Sequence, residues 1–370
     1  MRIRTLTIAM LATAAAMTAC NSGSKNQTPD GWVIKNDVWK VESIDFEEIA
    51  KVVDIKPIVS EEPIAELTFL SGCNNDFIAS DDEWQTFYHI KDGRFEGKLN
   101  AVGNGPNEYN YLDQFSYLPA DGLLYGFDSQ GKIMCFKTSP FKFETKYTTD
   151  YQINDMFVLG HDHLLLSAWT PAHDSSAIYE FDGLTMTKVI DMEADGGMMP
   201  AYVWSGNEVL ISAKQKNTSI YRYAKGQMSK VATIDNGDME MSEDKILMHQ
   251  NGNMMMITWK DHTIGCKFAY LKGSTLAYWH FPMFDGTYCT YLTIATRDNT
   301  KNYKVHIGGL NVEVRPGLVD NGVYTMLIQG DWESKINADE EMSETGKRII
   351  EAMKGNDYNP VILQFKLKTM

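Results

Sequence analysis

Six stretches of the chain share one pattern of β-rich runs and turns, and their spacing leaves few folds open. Each consists of a short β-rich run, a polar turn, a second β-rich run, a turn with Gly or Asp, and a third run. The six stretches begin at Phe77, Leu123, Leu164, Val209, Met254 and Val323. The first five starts are 46, 41, 45 and 45 residues apart, and the last interval is 69 residues. A period in the forties with several short strands per unit is typical of a β-propeller.

The repeat predicts an all-β fold, a six-bladed β-propeller with a short helical insertion near the C-terminus. The insertion is expected in residues 337–353, where apolar residues recur at helical spacing and Gly355 can end the helix. Residues 44–51 predict a second short helix before the first blade. A predicted strand over residues 360–367 would pair into the first or last blade and leave no open edge. The alternative is an irregular pair of β-sandwiches.

The N-terminus predicts export and lipid anchoring. A basic start with Arg2 and Arg4 leads into an apolar run over residues 6–19. That run is too short to span a bilayer core of roughly 30 Å, and it fits a cleaved signal. Residues 17–20, MTAC, resemble a bacterial lipobox, in which a peptidase cuts before the cysteine and the new N-terminal Cys20 is acylated. An ordinary secretory signal or a transmembrane anchor is the alternative.

The same segment predicts the domain boundaries and the location of the protein. We expect a signal peptide over residues 1–19, a flexible tether over residues 20–40 and the propeller over residues 41–370. Position 21 is Asn rather than the Asp that resembles an inner-membrane sorting signal, and no acidic cluster resembling a surface-export signal follows Cys20. The prediction is therefore a cell-envelope protein that its lipid holds in the outer membrane, facing the periplasm.

Charge and cysteine content narrow the partners. The precursor carries a net charge of −15, and removal of Arg2 and Arg4 with the leader changes it to −17. Such a field repels nucleic acid and anionic membrane surfaces, so no nucleic-acid partner is expected. Four widely spaced cysteines follow the lipobox: Cys73, Cys135, Cys266 and Cys289. We expect these cysteines to act as small buried hydrophobic residues. The cell envelope also permits disulfides, and Cys266 with Cys289 is the pair to test.

A segment between the first two units resembles a known family. Residues 102–109, VGNGPNEY, followed by Phe115, resemble the GxGPGEY…F segment of the six-bladed β-propeller lipoproteins common in Bacteroidetes, a TolB-like or NHL-like group. The match departs at Asn107, where that group has glycine, but Asn also tolerates a positive φ. Residues 57–67 and 359–368 resemble the first and last strands of the same group. The resemblance implies the propeller fold over most of the chain and says little about activity.

Few residues suggest chemistry. Residues 103–109 could form a ligand loop, but a fixed crossing between blades is the favoured interpretation, with Tyr109 packed and Glu108 bonded to backbone. The pair His161 and His163 lies in a predicted hairpin turn rather than in a metal site. No G-x-S-x-G, P-loop or H-E-x-x-H motif is present. The sequence therefore predicts no catalytic residue, no metal and no cofactor.

Candidate ligand-binding residues come from the aromatic positions that end or flank the repeat strands. They are Trp169, His173, Trp204 and Trp259. The tryptophans could line one mouth of the central channel, where aromatic faces stack on sugars or pack on a peptide. Packing between blades is the alternative interpretation of these side chains.

The predicted function is binding: the propeller would act as a scaffold or receptor for an envelope protein, a peptide or a glycan. The alternative is a glycan-active hydrolase or lyase at the propeller channel. A glycosidase needs two carboxylates across its cleft, whereas Asp81 and Asp128 hold comparable places after a strand and are expected to bond to turns. A set of inward-facing carboxylates with displaced pKa values would distinguish the enzyme from the binding module. A ring that only spaces other components is a third interpretation.

Overall fold

The computed structural model describes residues 32–370, apart from residues 65, 82, 129–130, 193–200, 206–207, 214–217, 241–245, 252–253 and 357–358. The described residues begin with strands β1 (Val33–Lys35) and β2 (Val41–Asp45), helix α1 (Phe46–Ile49) and strand β3 (Ala50–Pro57). Trp32, Ile34 and Val38 are buried around β1. The prediction of a flexible tether is therefore corrected for residues 32–40, because their apolar side chains join the core. Cys20 and the predicted signal peptide lie outside the described residues.

The first three blades are antiparallel meanders of four strands each. Blade one contains β4 (Phe69–Cys73), β5 (Asp76–Ser80), β6 (Phe87–Lys91) and β7 (Arg94–Leu99). Blade two contains β8 (Gln114–Leu118), β9 (Leu123–Phe127), β10 (Lys132–Thr138) and β11 (Phe141–Thr148). Blade three contains β12 (Gln152–Gly160), β13 (His163–Trp169), β14 (Ser176–Phe181) and β15 (Met186–Met192). Every residue of β5 and β9 is buried, because both faces of these strands pack against neighbouring blades. The outer strand β11 instead alternates between exposed and half-buried residues.

Blades four and five each gain an extra strand from the N-terminal segment. Blade four contains β16 (Ala201–Ser205), β17 (Glu208–Ala213), β18 (Ser219–Ala224) and β19 (Gln227–Asp235), with β1 parallel to β19. A separate hairpin follows, formed by β20 (Ile246–Asn251) and β21 (Met254–Trp259). Blade five contains β22 (His262–Lys272), β23 (Thr275–Phe284), β24 (Thr287–Tyr288), β25 (Tyr291–Ala295) and β26 (Thr300–His306), with β2 parallel to β26.

The predicted start of the fifth unit at Met254 is wrong. That run forms β21 of the separate hairpin, whereas the second strand of blade five is β23, which begins at Thr275. The second strands of blades four and five thus begin 67 residues apart. A β-rich run beside a polar turn gives the same local signal in an inserted hairpin and in a blade, so the repeat pattern alone could not separate them.

Blade six is completed by the N-terminal part of the chain. It contains β27 (Leu318–Asp320), β28 (Val323–Ile328) and β29 (Val361–Leu367), and β3 pairs antiparallel with β29. Helix α2 (Glu344–Lys354) lies between β28 and β29, is capped by Ser343 and Gly355, and packs against β3 and β29. The six-bladed fold, the helical insertion and the closing strand are therefore confirmed. Among the described residues no helix has the length and hydrophobicity that crossing a bilayer requires.

The ring has two unlike faces. We call upper face the one at which the first strand of each blade begins, and lower face the opposite one. Turns on the lower face hold two to four residues, and several use a left-handed pair such as Asp92 and Gly93, with φ of 50° and 77°. The long connections lie on the upper face: residues 100–113, 236–261, 307–317 and 329–360. Long loops on a rigid scaffold commonly carry function, so the upper face is the place to look for a site.

Candidate functional site

Polar side chains from four successive blades converge near the ring axis. Asp155 lies on β12, Tyr202 on β16 and Lys267 on β22, the first strands of blades three, four and five, while Arg315 comes just before β27. Asp155 interacts electrostatically with Lys267 and Tyr202, and Lys267 interacts with Arg315. We call these four residues the axial cluster. Their approach brings together positions that are far apart in sequence.

Irregularities in strand pairing occur at Asp155 and Lys267, the two buried charged residues on the inner strands. The pairing of β12 with β13 shifts between Ile153 and Asp155, so that one residue is left without a partner directly before Asp155. The pairing of β22 with β23 shifts on both sides of Lys267, and Phe268 has a φ of 51°. A bulge bends its strand and redirects a side chain that regular alternation would turn into a blade interface. The irregularities therefore account for charged side chains within otherwise apolar inner strands.

Burial dominates the electrostatics of the cluster. Asp155 is 8% exposed, and burial raises its pKa to about 7 against the opposing effects of the Met156 N–H, 2.8 Å from Oδ1, and of Lys267. Burial likewise lowers the pKa of Lys267, with Asp155 opposing and Arg315 reinforcing the change. Among the described residues no ion pair within 4.0 Å joins Asp155 to Lys267. Burial therefore favours the protonated form of Asp155 far more than water does.

Tyr202 contributes a hydroxyl group that lacks a partner. Its ring stacks on Phe157 of β12, with centroids 5.3 Å apart and planes inclined by 16°. The hydroxyl oxygen is buried and has no hydrogen-bond partner within the described part of the chain. A buried hydroxyl without a partner costs roughly 1–3 kcal/mol, which a bound acceptor would recover. Arg315 stands at the upper end with its guanidinium 4.8 Å from the centroid of the Phe281 ring.

The cluster is suited to an acceptor-rich group rather than to hydrolysis by two acids. All four side chains of the axial cluster can donate hydrogen bonds, Asp155 when it is protonated. The pKa of Asp155 reflects burial, one backbone N–H and Lys267, with no contribution from a second carboxylate of the described residues. A glycosidase of the usual kind requires two carboxyl groups about 5–9 Å apart. The geometry therefore favours binding of an anionic or strongly polar group.

The predicted ligand-binding residues are spread over the ring. Trp169 ends β13 at the upper face and is half-buried, and His173 is exposed in the following turn with a φ of 56°. Trp204 lies on β16 with its ring centroid 5.6 Å from that of Phe157, which also holds Tyr202. Trp259 ends β21, and its side chain lies outside the described residues. Among the members of this set whose side chains are described, Trp204 lies beside the axial cluster.

The loop that resembles the lipoprotein group has the structural character expected of it. Tyr109 is 2% exposed and donates a hydrogen bond of 2.8 Å from its hydroxyl to the Gln85 carbonyl. The Glu108 carboxylate accepts a hydrogen bond of 2.7 Å from the backbone N–H of Gly105. These contacts make residues 103–109 a fixed crossing between blades one and two.

Other predicted positions also have structural partners. The Asp81 carboxylate accepts hydrogen bonds from the backbone N–H groups of Gln85 and Thr86, each 3.0 Å long, and the Asp128 carboxylate accepts one from Lys132 N–H. The four cysteines of the propeller form no disulfide. Among the described residues, no group of three or more histidines, cysteines or acids is placed to hold a metal ion.

Sequence reasoning missed the axial cluster and an aromatic pair at the mouth of the channel. Asp155 and Lys267 are single charges within β-rich runs, and that anomaly is the signal that could have drawn attention to them. Phe69 begins β4 at the upper face and is 46% exposed, with its ring centroid 4.2 Å from that of Trp84. Trp84 adopts a φ of 56° in the next upper-face turn, which no sequence pattern announced.

The fold and this site define a six-bladed propeller with a polar axis and one elaborated face. The chain belongs to the DUF5128 family, described as a 6-bladed beta-propeller, whose sequence model matches residues 77–307. No curated protein matches the chain in sequence. The relation to TolB-like or NHL-like propellers stays a prediction.

One solved structure supports the fold, and two others are similar to the chain at lower TM-scores. A protein of Bacteroides fragilis described as exported has a TM-score of 0.66 and 15% identity, with 91% of this chain and 99% of that chain covered. A DUF4221 family member from Bacteroides vulgatus has a TM-score of 0.43 and 7% identity, with 86% and 98% covered. The Swd1 propeller domain of Myceliophteria thermophila has a TM-score of 0.41 and 8% identity, with 86% and 99% covered.

Proposed function

We propose that this protein is a cell-envelope lipoprotein whose propeller is a binding module, and that its upper face receives the ligand. The observation that carries the proposal is the convergence of Asp155, Tyr202, Lys267 and Arg315 beneath the face that bears the long connections. A propeller offers a rigid platform for such loops, and a site rather than the fold has to specify what binds. An envelope protein, a peptide or a glycan presenting an anionic group would complement the cluster.

The proposed location rests on the N-terminal sequence. Residues 17–20 resemble a lipobox, so the mature protein would begin at an acylated Cys20 in the outer membrane and face the periplasm. The exported description of the Bacteroides fragilis protein of the same fold supports an envelope location. The described part of the chain starts at Trp32, so about a dozen residues would separate the lipid from the ring. At roughly 3.5 Å per residue, that tether reaches at most about 40 Å.

Site-specific photo-cross-linking in cells tests the proposal. The photoreactive residue replaces His173, which is exposed on the upper face of blade three, or Leu184, which is 93% exposed on the lower face of the same blade. A partner adduct from position 173 alone, lost when Cys20→Ala releases the anchor, is the expected result. Adducts only from position 184, or none from either, would argue against a binding role for the upper face.

A charge variant tests the part played by the axis. Lys267→Met removes a buried ammonium, and loss of a buried charged partner costs about 2–5 kcal/mol in a complex. We therefore expect at least tenfold less captured partner, whereas Lys304→Met, on the exposed side of β26, should leave the yield unchanged. Equal yields of captured partner from both variants would mean that the partner does not contact the axial cluster.

A further inference from the structure

A cleft of about 500 Å³ opens on the upper face at the outer seam between blades four and five. Trp39 stands on one side, and Asp238, Lys260, Asp261 and Asp285 complete the walls. Four separate segments build it: the N-terminal segment between β1 and β2, the turn after β19, the residues before β22 and the β23–β24 turn. Its volume falls in the range of small-ligand sites, roughly 300–1,000 Å³.

Trp39 is held as a platform rather than packed as core. Its side chain is 55% exposed, while its ring rests against Phe284 with centroids 5.0 Å apart. The indole N–H donates a hydrogen bond of 3.3 Å to Asp238 Oδ1, so the edge of the ring is engaged and a face stays available. Exposure of a fixed indole is costly in water, and aromatic residues of this kind are enriched where ligands bind. Met239, 1% exposed, forms the apolar base below it.

The walls offer both acceptors and a donor. Asp261 Oδ1 accepts a hydrogen bond of 2.9 Å from the backbone N–H of Asp285, which fixes these two acids relative to each other. The β23–β24 turn is set by left-handed residues, with φ of 47° at Asp285 and 79° at Gly286. Lys260 also lines the cleft, and its ammonium group is a hydrogen-bond donor. One aromatic face above mixed acceptors and a donor is an arrangement for an amphiphilic ring with hydroxyl groups.

We propose that this cleft is a saccharide-binding subsite in which Trp39 stacks against the apolar face of a sugar ring while the aspartates and Lys260 bond its hydroxyl groups. The proposal adds a carbohydrate subsite at this seam to the proposed binding function, and it does not depend on the axial cluster. A cationic side chain is the competing occupant. It would be attracted by the three aspartates, but it would meet Lys260 as a like charge and a single aromatic ring instead of a cage.

Calorimetric titration of the detergent-solubilised mature protein with neutral disaccharides tests the proposal, the probes being cellobiose, maltose, mannobiose and chitobiose. We expect one of them to bind saturably, and Trp39→Ala to weaken that binding at least tenfold. Tyr111→Ala is the matched control, because Tyr111 is 44% exposed on the connection between blades one and two, away from the cleft. Absence of saturable binding across the panel, or equal binding by both variants, would overturn the proposal.

The salt dependence separates the two occupants. Asp261→Asn keeps an oxygen that accepts the Asp285 N–H but removes the charge, so disaccharide binding should fall only a few-fold and stay insensitive to salt. Binding of tri-lysine that is stronger than that of every disaccharide, and that collapses in Asp261→Asn or at high salt, would assign the cleft to a cation and overturn the proposal. Because disaccharides are the probe, failure here leaves the cross-linking result at His173 to decide the wider binding function.

Discussion

Replacement of Asp155 by Asn should stabilise the protein at alkaline pH, and the gain should shrink as the pH falls. Asp155 is 8% exposed, and burial raises its pKa from 3.8 to about 7. The folded state therefore holds the proton more tightly than the unfolded state. Its contribution to the free energy of unfolding is complete below about pH 4, falls between about pH 4 and 7, and is lost above that range.

The magnitude follows from the width of that window. One unit of pKa difference is worth about 1.4 kcal/mol, so ionisation of Asp155 costs the fold about 4 kcal/mol at pH 8 and about 2 kcal/mol at pH 5. Asn cannot ionise and avoids both costs. The stability of Asp155→Asn relative to the wild-type protein should therefore grow by about 2–3 kcal/mol from pH 5 to pH 8.

Urea unfolding followed by tryptophan fluorescence at pH 5, 6, 7 and 8 measures this difference, provided that the slopes agree between variants. Asp121→Asn, in an exposed lower-face turn, is the control and should show no trend with pH. A gain that is equal at pH 5 and pH 8, or a loss of stability at pH 8, would mean that Asp155 is ionised and paired in the fold. Either result would refute the reasoning about the axial cluster.

Two further predictions concern buried groups elsewhere in the ring. Burial lowers the pKa of His280 to about 3, so the free energy of unfolding should fall as the pH drops below about 6.5. His280→Gln should recover about 2 kcal/mol at pH 5 in the same assay. The same loss of stability at acidic pH in the variant and the wild-type protein would contradict this. Asp76 lies 2.8 Å from His89 Nε2 and 2.9 Å from Lys91 Nζ, so Asp76→Ala should cost about 3–5 kcal/mol in urea unfolding. Glu96 is exposed, so Glu96→Ala should leave the free energy of unfolding nearly unchanged. An equal loss of stability in the two variants would mean that the contacts of Asp76 with His89 and Lys91 do not stabilise the fold.

The blades could be predicted because their signal is local. Runs such as residues 123–127 are apolar throughout, and turns such as Lys225-Gly226 carry left-handed residues where tight hairpins need them. The inserted hairpin at residues 246–259 has the same local signal, and its exclusion from a blade is decided by pairing over long distances. Local patterns therefore give strands and turns, whereas membership in the ring depends on which strands meet.

The candidate sites could not be predicted from the sequence, because they also depend on which distant strands meet. Asp155 and Lys267 come from strands of different blades, and the strand irregularities that aim them leave no mark in hydrophobic periodicity. Trp39 was hidden by its assignment to a flexible tether. A polar tether would not contain Trp32, Ile34 and Trp39 within a few residues, so composition alone argued for an ordered segment there.

The pairing of β3 with β29 sets the order in which the ring can form. About 300 residues separate β3, which ends at Pro57, from its partner β29, which begins at Val361. Until the last strand emerges, blade six has no complete sheet and β3 remains an open edge. Closure joins two strands that lie far apart in the chain, and long-range pairing of this kind is expected to form slowly. The topology of blade six therefore keeps the ring open until both of these strands have been made.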